Sequence, residues 1–261
     1  MNNPKIKQGK SNRLQMDMQK GQCALLHKFF AEKLICYDTY WPLSRMNVEI
    51  AVNQEIHKIL NNTNMAPFMR LINTPTITSI QPDSNSYTME YITGKTLLQI
   101  FSNDQEASLI TNLNDDHIKA LVHLLNRISK IKLSNFSPDI QKYFKDQTAI
   151  VSCMYQNKLK NHLPILPQEK GTLCLGDVSI NNLLFDGKKL YLIDFECAHF
   201  GYPGYDYGQI LGMTKAYSLI YPNFTTLYTK ISSSIQTEIN DICLLNQIKK
   251  WEDNFFNYYT K

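Results

Sequence analysis

The chain has 261 residues, a hydrophobic fraction of 43% and a formal net charge of +4, so it can bury a substantial core. No apolar run approaches the roughly 20 residues of a membrane helix, and the polar start lacks a signal-peptide apolar region, so we expect a cytoplasmic globular protein with no membrane partner. The basic excess lies in residues 1–97, with 11 Lys and Arg against 7 Asp and Glu, and is too diffuse for nucleic-acid binding as a primary function.

Six cysteines are scattered along the chain without a C-x-x-C pair, and three of them lie in apolar strand or helix patterns. This distribution is typical of reduced, packed thiols in a reducing compartment and not of a disulfide framework or a zinc site. We therefore expect no structural metal.

The first 30 residues predict three short strands, at 5–8, 13–18 and 23–30, separated by polar turns. The alternation in LQMDM and the apolar run CALLHKFF support the second and third strands. The first turn, GKSN, is either a plain hairpin turn or a phosphate-binding turn, because its small residues allow backbone N–H groups to approach phosphate oxygens closely.

A lysine within an apolar strand marks the third strand as unusual. Lys28 stands in ALLHKFF, and burying its charge is costly unless a partner is present. A helix predicted at 45–60 offers two acids, Glu49 and Glu55, and helix geometry alone does not choose between them. Lys33 is the rival lysine, and either acid could instead lie on a solvated helix face.

Residues 68–81 and 86–92 predict the next pair of strands, joined by a Pro-Asp-Ser-Asn turn. From Thr96 onward the pattern is mostly helical, with apolar residues at helical spacing in DDHIKALVHLLNRISKIK. His117 and His123 in that helix are interpreted as packing or partly exposed side chains, because nothing acidic or nucleophilic is fixed beside them.

The stretch LCLGDVSINNLLFDGKKLYLIDF carries most of the functional signal. It predicts a strand at 173–175, a loop at 176–182, and a hairpin that turns at an Asp-Gly pair into a strand at 190–193. Two acids and an amide therefore emerge together at one end of a small ribbon.

The spacing of three polar residues fits phosphoryl transfer. Asp177 and Asn182 are five positions apart, and Asp194-Phe195-Glu196 stands where kinases carry D-F-G after the next hairpin. The reaction needs oxygen ligands for Mg²⁺ and a carboxylate that accepts the proton of the attacking hydroxyl. These residues could instead cap turns, but spacing, hairpin and second acid would then have to coincide by chance.

The segments LGDVSINN and IDFECAHFGYPGYDYG resemble the phosphotransferase superfamily of aminoglycoside phosphotransferases and choline, ethanolamine and thiamine kinases, which share a protein-kinase-like fold. The family motifs are H-G-D-x4-N and I-D-F/W-E-x-A-x-x-G-x-P-x-x-D-x-G. One departure is Leu175, which stands where the family has a supporting His. The resemblance implies that its loss re-packs the site without removing the chemistry.

The resemblance also implies roles for the other candidates. Asp177 would be the catalytic base, Asn182 and Asp194 the Mg²⁺ ligands, and Asp206 a structural residue that holds the catalytic loop. The implied ATP site consists of a phosphate clamp with its acidic partner, the GKSNR turn and the hinge after Met89: Lys28, Glu49, Ser11, Asn12, Glu90, Tyr91 and Ile92. Glu196 and Leu175 are further candidates for the site. Lys33 and Glu55 remain the alternative ion pair.

We therefore expect an α+β, bilobal, protein-kinase-like fold. An antiparallel β N-lobe that binds the nucleotide would occupy residues 1–93, and a mostly helical C-lobe with the catalytic and acceptor sites would occupy 94–261. The resemblance implies transfer of the γ-phosphate of ATP, with Mg²⁺, to a hydroxyl of a small molecule such as choline, ethanolamine or thiamine. The alternatives are a nucleotide-binding pseudokinase or scaffold, favoured by Leu175, and an aminoglycoside O-phosphotransferase, which the few acids of the last 50 residues disfavour. The sequence does not indicate the oligomeric state.

Overall fold

A computed structural model describes residues 6–8, 12–19, 22–30, 44–62, 64–145, 147–148 and 171–260. The strands are β1 (Ile6–Gln8), β2 (Asn12–Gln19), β3 (Gln22–Phe30), β4 (Ile72–Asn73), β5 (Ile77–Gln81), β6 (Ser86–Glu90), β7 (Lys95–Thr96), β8 (Thr172–Cys174), β9 (Leu183–Phe185), β10 (Leu190–Leu192) and β11 (His199–Gly201). The helices are α1 (Ser44–Leu60), α2 (Leu97–Phe101), α3 (Ala107–Asn112), α4 (Asp115–Ile128), α5 (Tyr205–Ser218), α6 (Asn223–Glu238) and α7 (Ile242–Tyr259). Residues 138–145 and 147–148 are also helical.

The N-terminal region is an antiparallel sheet with strand order β1-β2-β3-β6-β5. Helix α1 packs against it through Met46 and Ile50, which form a small apolar cluster with Tyr87 of β6. Lys28 lies directly opposite Tyr87 in the β3–β6 register. The central position of β3 therefore delivers Lys28 into the space between the sheet and α1.

The C-terminal region is helical around two small sheets. One sheet has the order β4-β10-β9-β7, and the other pairs β8 with β11. The main apolar core includes residues from α4, α5 and α6 and from the 173–200 segment. The expected α+β class, with an antiparallel N-terminal sheet and a helical C-terminal region, is confirmed. Within the described ranges no helix has the length and apolar character needed to cross a membrane.

The expected single strand at 68–81 is wrong. Pro67–Leu71 form a 3₁₀ helix, β4 joins the second sheet through Leu190 and Tyr191, and only β5 pairs with β6. Pro67 begins the 3₁₀ turn, and Pro75 lies between β4 and β5. Proline lacks the N–H group that a continuous strand needs, so the segment divides between two sheets.

The contact between α5 and α7 depends on a glycine. A Cβ at Gly208 would lie 2.1 Å from the Cβ of Trp251 and 2.9 Å from the backbone nitrogen of Glu252. Gly208→Ala is therefore expected to lower the free energy of unfolding by about 3 kcal/mol, because the two helices must separate to admit the methyl group. Urea denaturation measures this, with Ser233→Ala on the exposed face of α6 as the control. Equal unfolding free energies for the two variants would contradict the prediction.

Candidate active site

Three charged side chains from distant parts of the sequence meet between β3, α1 and the end of β10. The Lys28 ammonium lies 2.8 Å from Oε2 of Glu49 and 2.6 Å from Oδ1 of Asp194. The Lys28 and Glu49 side chains are 5% and 4% exposed, whereas that of Asp194 is 34% exposed. One face of the cluster is therefore open at Asp194.

Glu49 is surrounded by hydrogen-bond donors. Besides Lys28, the backbone N–H of Phe195 donates to its Oε1 at 3.2 Å, and the hydroxyl of Tyr87 also bonds to it. Burial would lower the pKa of Lys28, but the charges of Asp194 and Glu49 outweigh this effect and raise it well above its ordinary value. Lys28 is therefore a fixed positive charge, and Glu49 ties α1 to the loop that follows Asp194.

Asp177 and Asn182 form one hydrogen-bonded unit across the loop between β8 and β9. The Nδ2 of Asn182 donates to Oδ2 of Asp177 at 2.9 Å and to its backbone carbonyl at 3.0 Å. This fixes the amide orientation and directs the Oδ1 of Asn182 away from Asp177. The N–H of Ile193 donates to the carbonyl of Asn182 at 3.0 Å, which places Asn182 beside the residue that precedes Asp194.

Two side chains of helix α5 accept hydrogen bonds from the backbone of the loop between β8 and β9. The carboxylate of Asp206 accepts the N–H groups of Leu175 at 2.8 Å and Gly176 at 3.0 Å, and Oε1 of Gln209 accepts that of Val178 at 3.0 Å. Burial raises the pKa of Asp206 to about 6, with the two backbone donors opposing the shift. The carboxylate is therefore the dominant form at neutral pH, and it orders the two residues before Asp177, while Gln209 orders the residue after it.

Gly176 brings the two loops of the site together. It has a left-handed backbone with φ of 81°, and a Cβ at this position would lie 2.2 Å from the carbonyl oxygen of Cys197. Only glycine combines this φ with such a close approach at little cost. The residue before Asp177 therefore packs directly on the loop that follows Asp194.

The backbone near Leu175 has side-chain hydrogen-bond donors although the family's His is absent. The Leu175 side chain is 1% exposed and belongs to the main core, while the Nε2 of Gln147 donates to the carbonyls of Glu196 and Ala198. A ring nitrogen of His199 also lies 3.0 Å from the carbonyl of Cys197. Three successive carbonyls after Phe195 thus have side-chain donors, so the backbone that the family's His was expected to support is held by other residues.

His199 supplies a pH-dependent part of the stability. Burial lowers its pKa to about 4, below the ordinary 6.5, so the folded state disfavours its protonation. As the pH falls below 6.5 the unfolded chain gains a proton that the folded chain takes up only near pH 4, and stability is lost across this window. His199→Asn keeps an N–H donor, and wild type should lose about 3 kcal/mol relative to it between pH 7 and pH 4. Unfolding free energies measured at both pH values test this, and a constant difference would contradict it.

One carboxylate oxygen each from Glu49, Asp194 and Glu196 lie within 4.8 Å of one another. Glu49 is engaged with Lys28 and the Phe195 N–H, and Glu196 lies 3.7 Å from the guanidinium of Arg45. Asp194 is the most exposed of the three acids and has a left-handed backbone, φ 67°. These carboxylate oxygens and the amide oxygen of Asn182 fit Mg²⁺, because Mg²⁺ prefers oxygen ligands.

The remaining predictions have mixed outcomes. Ser11 and Lys33 lie outside the described residues, and Asn12 is the first residue of β2. Glu55 forms an ion pair with the exposed Lys58, its only salt-bridge partner among the described residues. Strand β6 ends at Glu90, so Tyr91 and Ile92 begin the connection to β7 instead of extending the strand.

The two histidines of α4 have structural partners. His117 contacts Asn114 and the carbonyl of Lys188, and His123 contacts Glu238. The contacts of His117 agree with its interpretation as a packing residue, but the expectation that no acid lies beside these histidines is wrong for His123, which is 3.0 Å from Oε1 of Glu238.

Sequence reasoning missed four supporting side chains: Tyr87, Gln147, His199 and Gln209. Gln209 had a usable signal, because it follows Asp206 by three positions and therefore lies on the same helix face. Gln147 had none, since a side chain that binds distant backbone carbonyls leaves no periodicity in the sequence.

Helices α5 and α6 and the turn between them carry a group of packed aromatic side chains. The rings of Tyr217 and Tyr221 stack with centroids 6.4 Å apart, and Phe224 contacts both. Burial raises the pKa of Tyr259, and the charge of Asp177 adds to this effect, so the last helix brings a phenol near the loop.

All four acids of the last 50 residues are already engaged. Glu238 contacts His123 and Asn126, and Asp241 caps α7. Glu252 and Asp253 pair with Lys215 and Lys249. No uncompensated carboxylate is therefore found among these four residues.

A comparison with families of known proteins gives one match. The sequence profile of the phosphotransferase enzyme family matches residues 53–224, about two thirds of the chain. None of the curated proteins has significant sequence similarity to the chain.

Several solved structures have a similar fold. A structure of amicoumacin kinase hAmiN, in complex with AMP-PNP, Ca²⁺ and Ami, is 12% identical, covers 98% of this chain and 79% of that chain, and has a TM-score of 0.52. The ethanolamine kinase of Plasmodium vivax is 15% identical over 98% of this chain and 73% of that chain, with a TM-score of 0.49. A choline/ethanolamine kinase family protein from Mesorhizobium loti is 11% identical over 99% and 78%, with a TM-score of 0.47.

Proposed function

Because the chain belongs to the phosphotransferase enzyme family, we propose that it transfers the γ-phosphoryl group of ATP, with Mg²⁺, to a hydroxyl of a small molecule. The observation that carries the proposal is the convergence of Lys28, Glu49 and Asp194 beside the Asp177–Asn182 pair. Phosphoryl transfer is achieved mostly by positioning and charge stabilisation, and these residues supply both.

Each residue has a defined role in this proposal. Lys28 contacts the α and β phosphates, with Glu49 holding its ammonium in place. Asp194 and the Oδ1 of Asn182 would hold Mg²⁺, and the metal would supply positive charge against the phosphates. Asp177 accepts the proton of the acceptor hydroxyl as its oxygen bonds to the γ-phosphorus and the bond to the bridging oxygen breaks, releasing ADP.

We place the adenine against the backbone of Glu90, Tyr91 and Ile92, where the chain leaves β6. In this proposal residues 1–93, with the GKSN turn that contains Ser11 and Asn12, hold the nucleotide. Residues 94–261 hold the catalytic loop and the acceptor.

An amino alcohol such as choline or ethanolamine, or thiamine, is the preferred acceptor class. Aromatic faces such as those of Tyr217 and Tyr221 attract organic cations. A polycationic aminoglycoside needs several carboxylates, and the four acids of the last 50 residues already have partners. The case for a pseudokinase is weakened because Gln147 donates to the carbonyl of Ala198 and Asp206 accepts the N–H of Leu175, so the loops around Leu175 are held in place.

A panel of acceptors tests the proposal. Purified protein with MgATP is incubated with choline, ethanolamine, thiamine, a methylthio-sugar, homoserine or one of two aminoglycosides, and ADP release is followed. Release stimulated by one acceptor would support a small-molecule kinase and identify its substrate. Tight MgATP binding without stimulated release would favour a pseudokinase, and absence of MgATP binding would overturn the nucleotide site.

A further inference from the structure

The side chain of Gln209 is an amide buried directly beneath the predicted catalytic base. It is 4% exposed and lies on α5, one turn after Asp206. Asp206 binds the backbone before Asp177, and Gln209 binds the backbone after it. The two side chains thus hold the catalytic loop from one helix face.

The orientation of the Gln209 amide is fixed by its surroundings. The Val178 N–H can only donate, and it lies 3.0 Å from Oε1 of Gln209. The Nε2 atom therefore faces Oδ1 of Asp177, at 3.4 Å. If Oε1 and Nε2 of Gln209 were exchanged, an amide N–H would face the N–H of Val178 and an amide oxygen would face the carboxylate oxygen of Asp177. Neither pair can form a hydrogen bond, so this orientation is excluded.

Both carboxylate oxygens of Asp177 consequently face an amide nitrogen. Asn182 donates to Oδ2 at 2.9 Å, and Gln209 approaches Oδ1 at 3.4 Å. Contacts at both oxygens restrict rotation of the carboxylate, whereas a single contact would leave it free to turn. Catalytic hydrogen bonds are often long without substrate and shorten in the reacting complex.

The amide of Gln209 also reaches the last helix. The Gln209 side chain also contacts Tyr259 on α7, a residue whose ring stacks with Phe255 at 6.4 Å between centroids. Tyr259 stays a neutral phenol, because burial and the charge of Asp177 raise its pKa. Gln209 therefore contacts both the loop that carries Asp177 and helix α7.

We propose that Gln209 is a positioning residue that orients the carboxylate of Asp177 for proton acceptance. This inference rests on the phosphotransferase function proposed above. Only an amide serves this position, since it accepts from Val178 and donates to Asp177 through one planar group. A carboxylate would accept from Val178 but place a second negative charge against the base.

Two substitutions separate orientation from packing. Gln209→Met keeps a similar volume and removes both polar contacts, and we expect kcat to fall about 10²-fold while KM for MgATP changes less than threefold. Gln209→Glu keeps the acceptor for Val178, and so the loop, and should move the acidic limb of the pH–rate profile to higher pH by about one unit. Thr214→Val is the control, because Thr214 is buried on the same helix and its hydroxyl bonds to that helix's own carbonyls.

A second readout is independent of any acceptor. The carboxyl carbon of Asp177 is titrated by ¹³C NMR in wild type and Gln209→Glu, and its midpoint should move to higher pH in the variant. If wild type phosphorylates no acceptor, the proposed function fails, but this titration still tests the Gln209 contact. An unchanged midpoint, or a kcat for Gln209→Met equal to that of Thr214→Val, would overturn the proposal.

Discussion

Asp177→Ala is expected to lower kcat for acceptor phosphorylation by about 10³-fold, because the acceptor hydroxyl loses the group that takes its proton. Affinity for MgATP should change less than threefold, since Lys28, Asp194 and Glu49 are in place without Asp177. Asp177→Asn should lose a similar factor while keeping nearly the same shape. Steady-state kinetics and calorimetric MgATP titration measure the two quantities.

Asp83→Asn is the matched control for this prediction. Asp83 is an exposed acid in the 3₁₀ turn between β5 and β6, so its replacement should leave both quantities unchanged. Turnover retained in Asp177→Ala would remove Asp177 from its role as base. A large loss of MgATP affinity in Asp177→Ala would indicate that this carboxylate contributes to nucleotide binding.

Asp194→Asn is expected to have the opposite signature, with loss of MgATP binding as well as turnover. Asp194 is the most exposed acid of the carboxylate cluster, and it would supply the charged ligand for Mg²⁺. We expect kcat/KM to fall at least about 10³-fold, because the charge stabilisation by a bound metal is worth several kcal/mol. The Kd of MgATP, measured by titration at several Mg²⁺ concentrations, should rise steeply.

The fold should survive this change, since Lys28 retains its 2.8 Å contact with Glu49. The Glu196→Gln variant tests whether Glu196 is also a metal ligand or only pairs with Arg45. A small effect would agree with pairing of Glu196 to Arg45, and an effect as large as that of Asp194→Asn would make Glu196 a ligand too. Asp139→Asn, an exposed acid, is the control. MgATP affinity unchanged in Asp194→Asn would contradict the metal site.

The proximity of the predicted catalytic and metal-binding residues could be inferred from the sequence, because it depends on local spacing. Asp177, Asn182, Asp194 and Asp206 follow one short stretch of sequence, and the hairpin between them is set by an Asp-Gly turn. The structure places the first two in direct contact and binds the loop before Asp177 to Asp206. The spacing was sufficient to predict that these residues lie together, because few secondary-structure elements separate them in the sequence.

The lysine partner could not be chosen from sequence alone. Glu49 and Glu55 lie on the same helix, and which one faces the sheet depends on how α1 docks against β3. The structure places Glu49 against Lys28 and Glu55 beside Lys58. The split of 68–81 between two sheets was also missed. The apolar periodicity of the sequence continues across Pro75, but the backbone cannot continue as one hydrogen-bonded strand through a proline.

The support around Leu175 shows a further limit of sequence reasoning. The absence of the family's His was visible, but the hydrogen bonds from Gln147 to the carbonyls of Glu196 and Ala198 were not. Such contacts join segments about 50 positions apart and depend only on the final packing. A missing motif residue therefore does not by itself indicate a loss of activity.

Product analysis tests the central claim most directly. Wild type and Asp177→Ala are incubated with MgATP and a mixture of small hydroxyl compounds, and all phosphorylated products are identified by mass spectrometry. We expect one phosphorylated acceptor, formed in amounts equal to ADP by wild type and absent with Asp177→Ala. Release of ADP and inorganic phosphate without a phosphorylated acceptor, or equal product from both proteins, would contradict it.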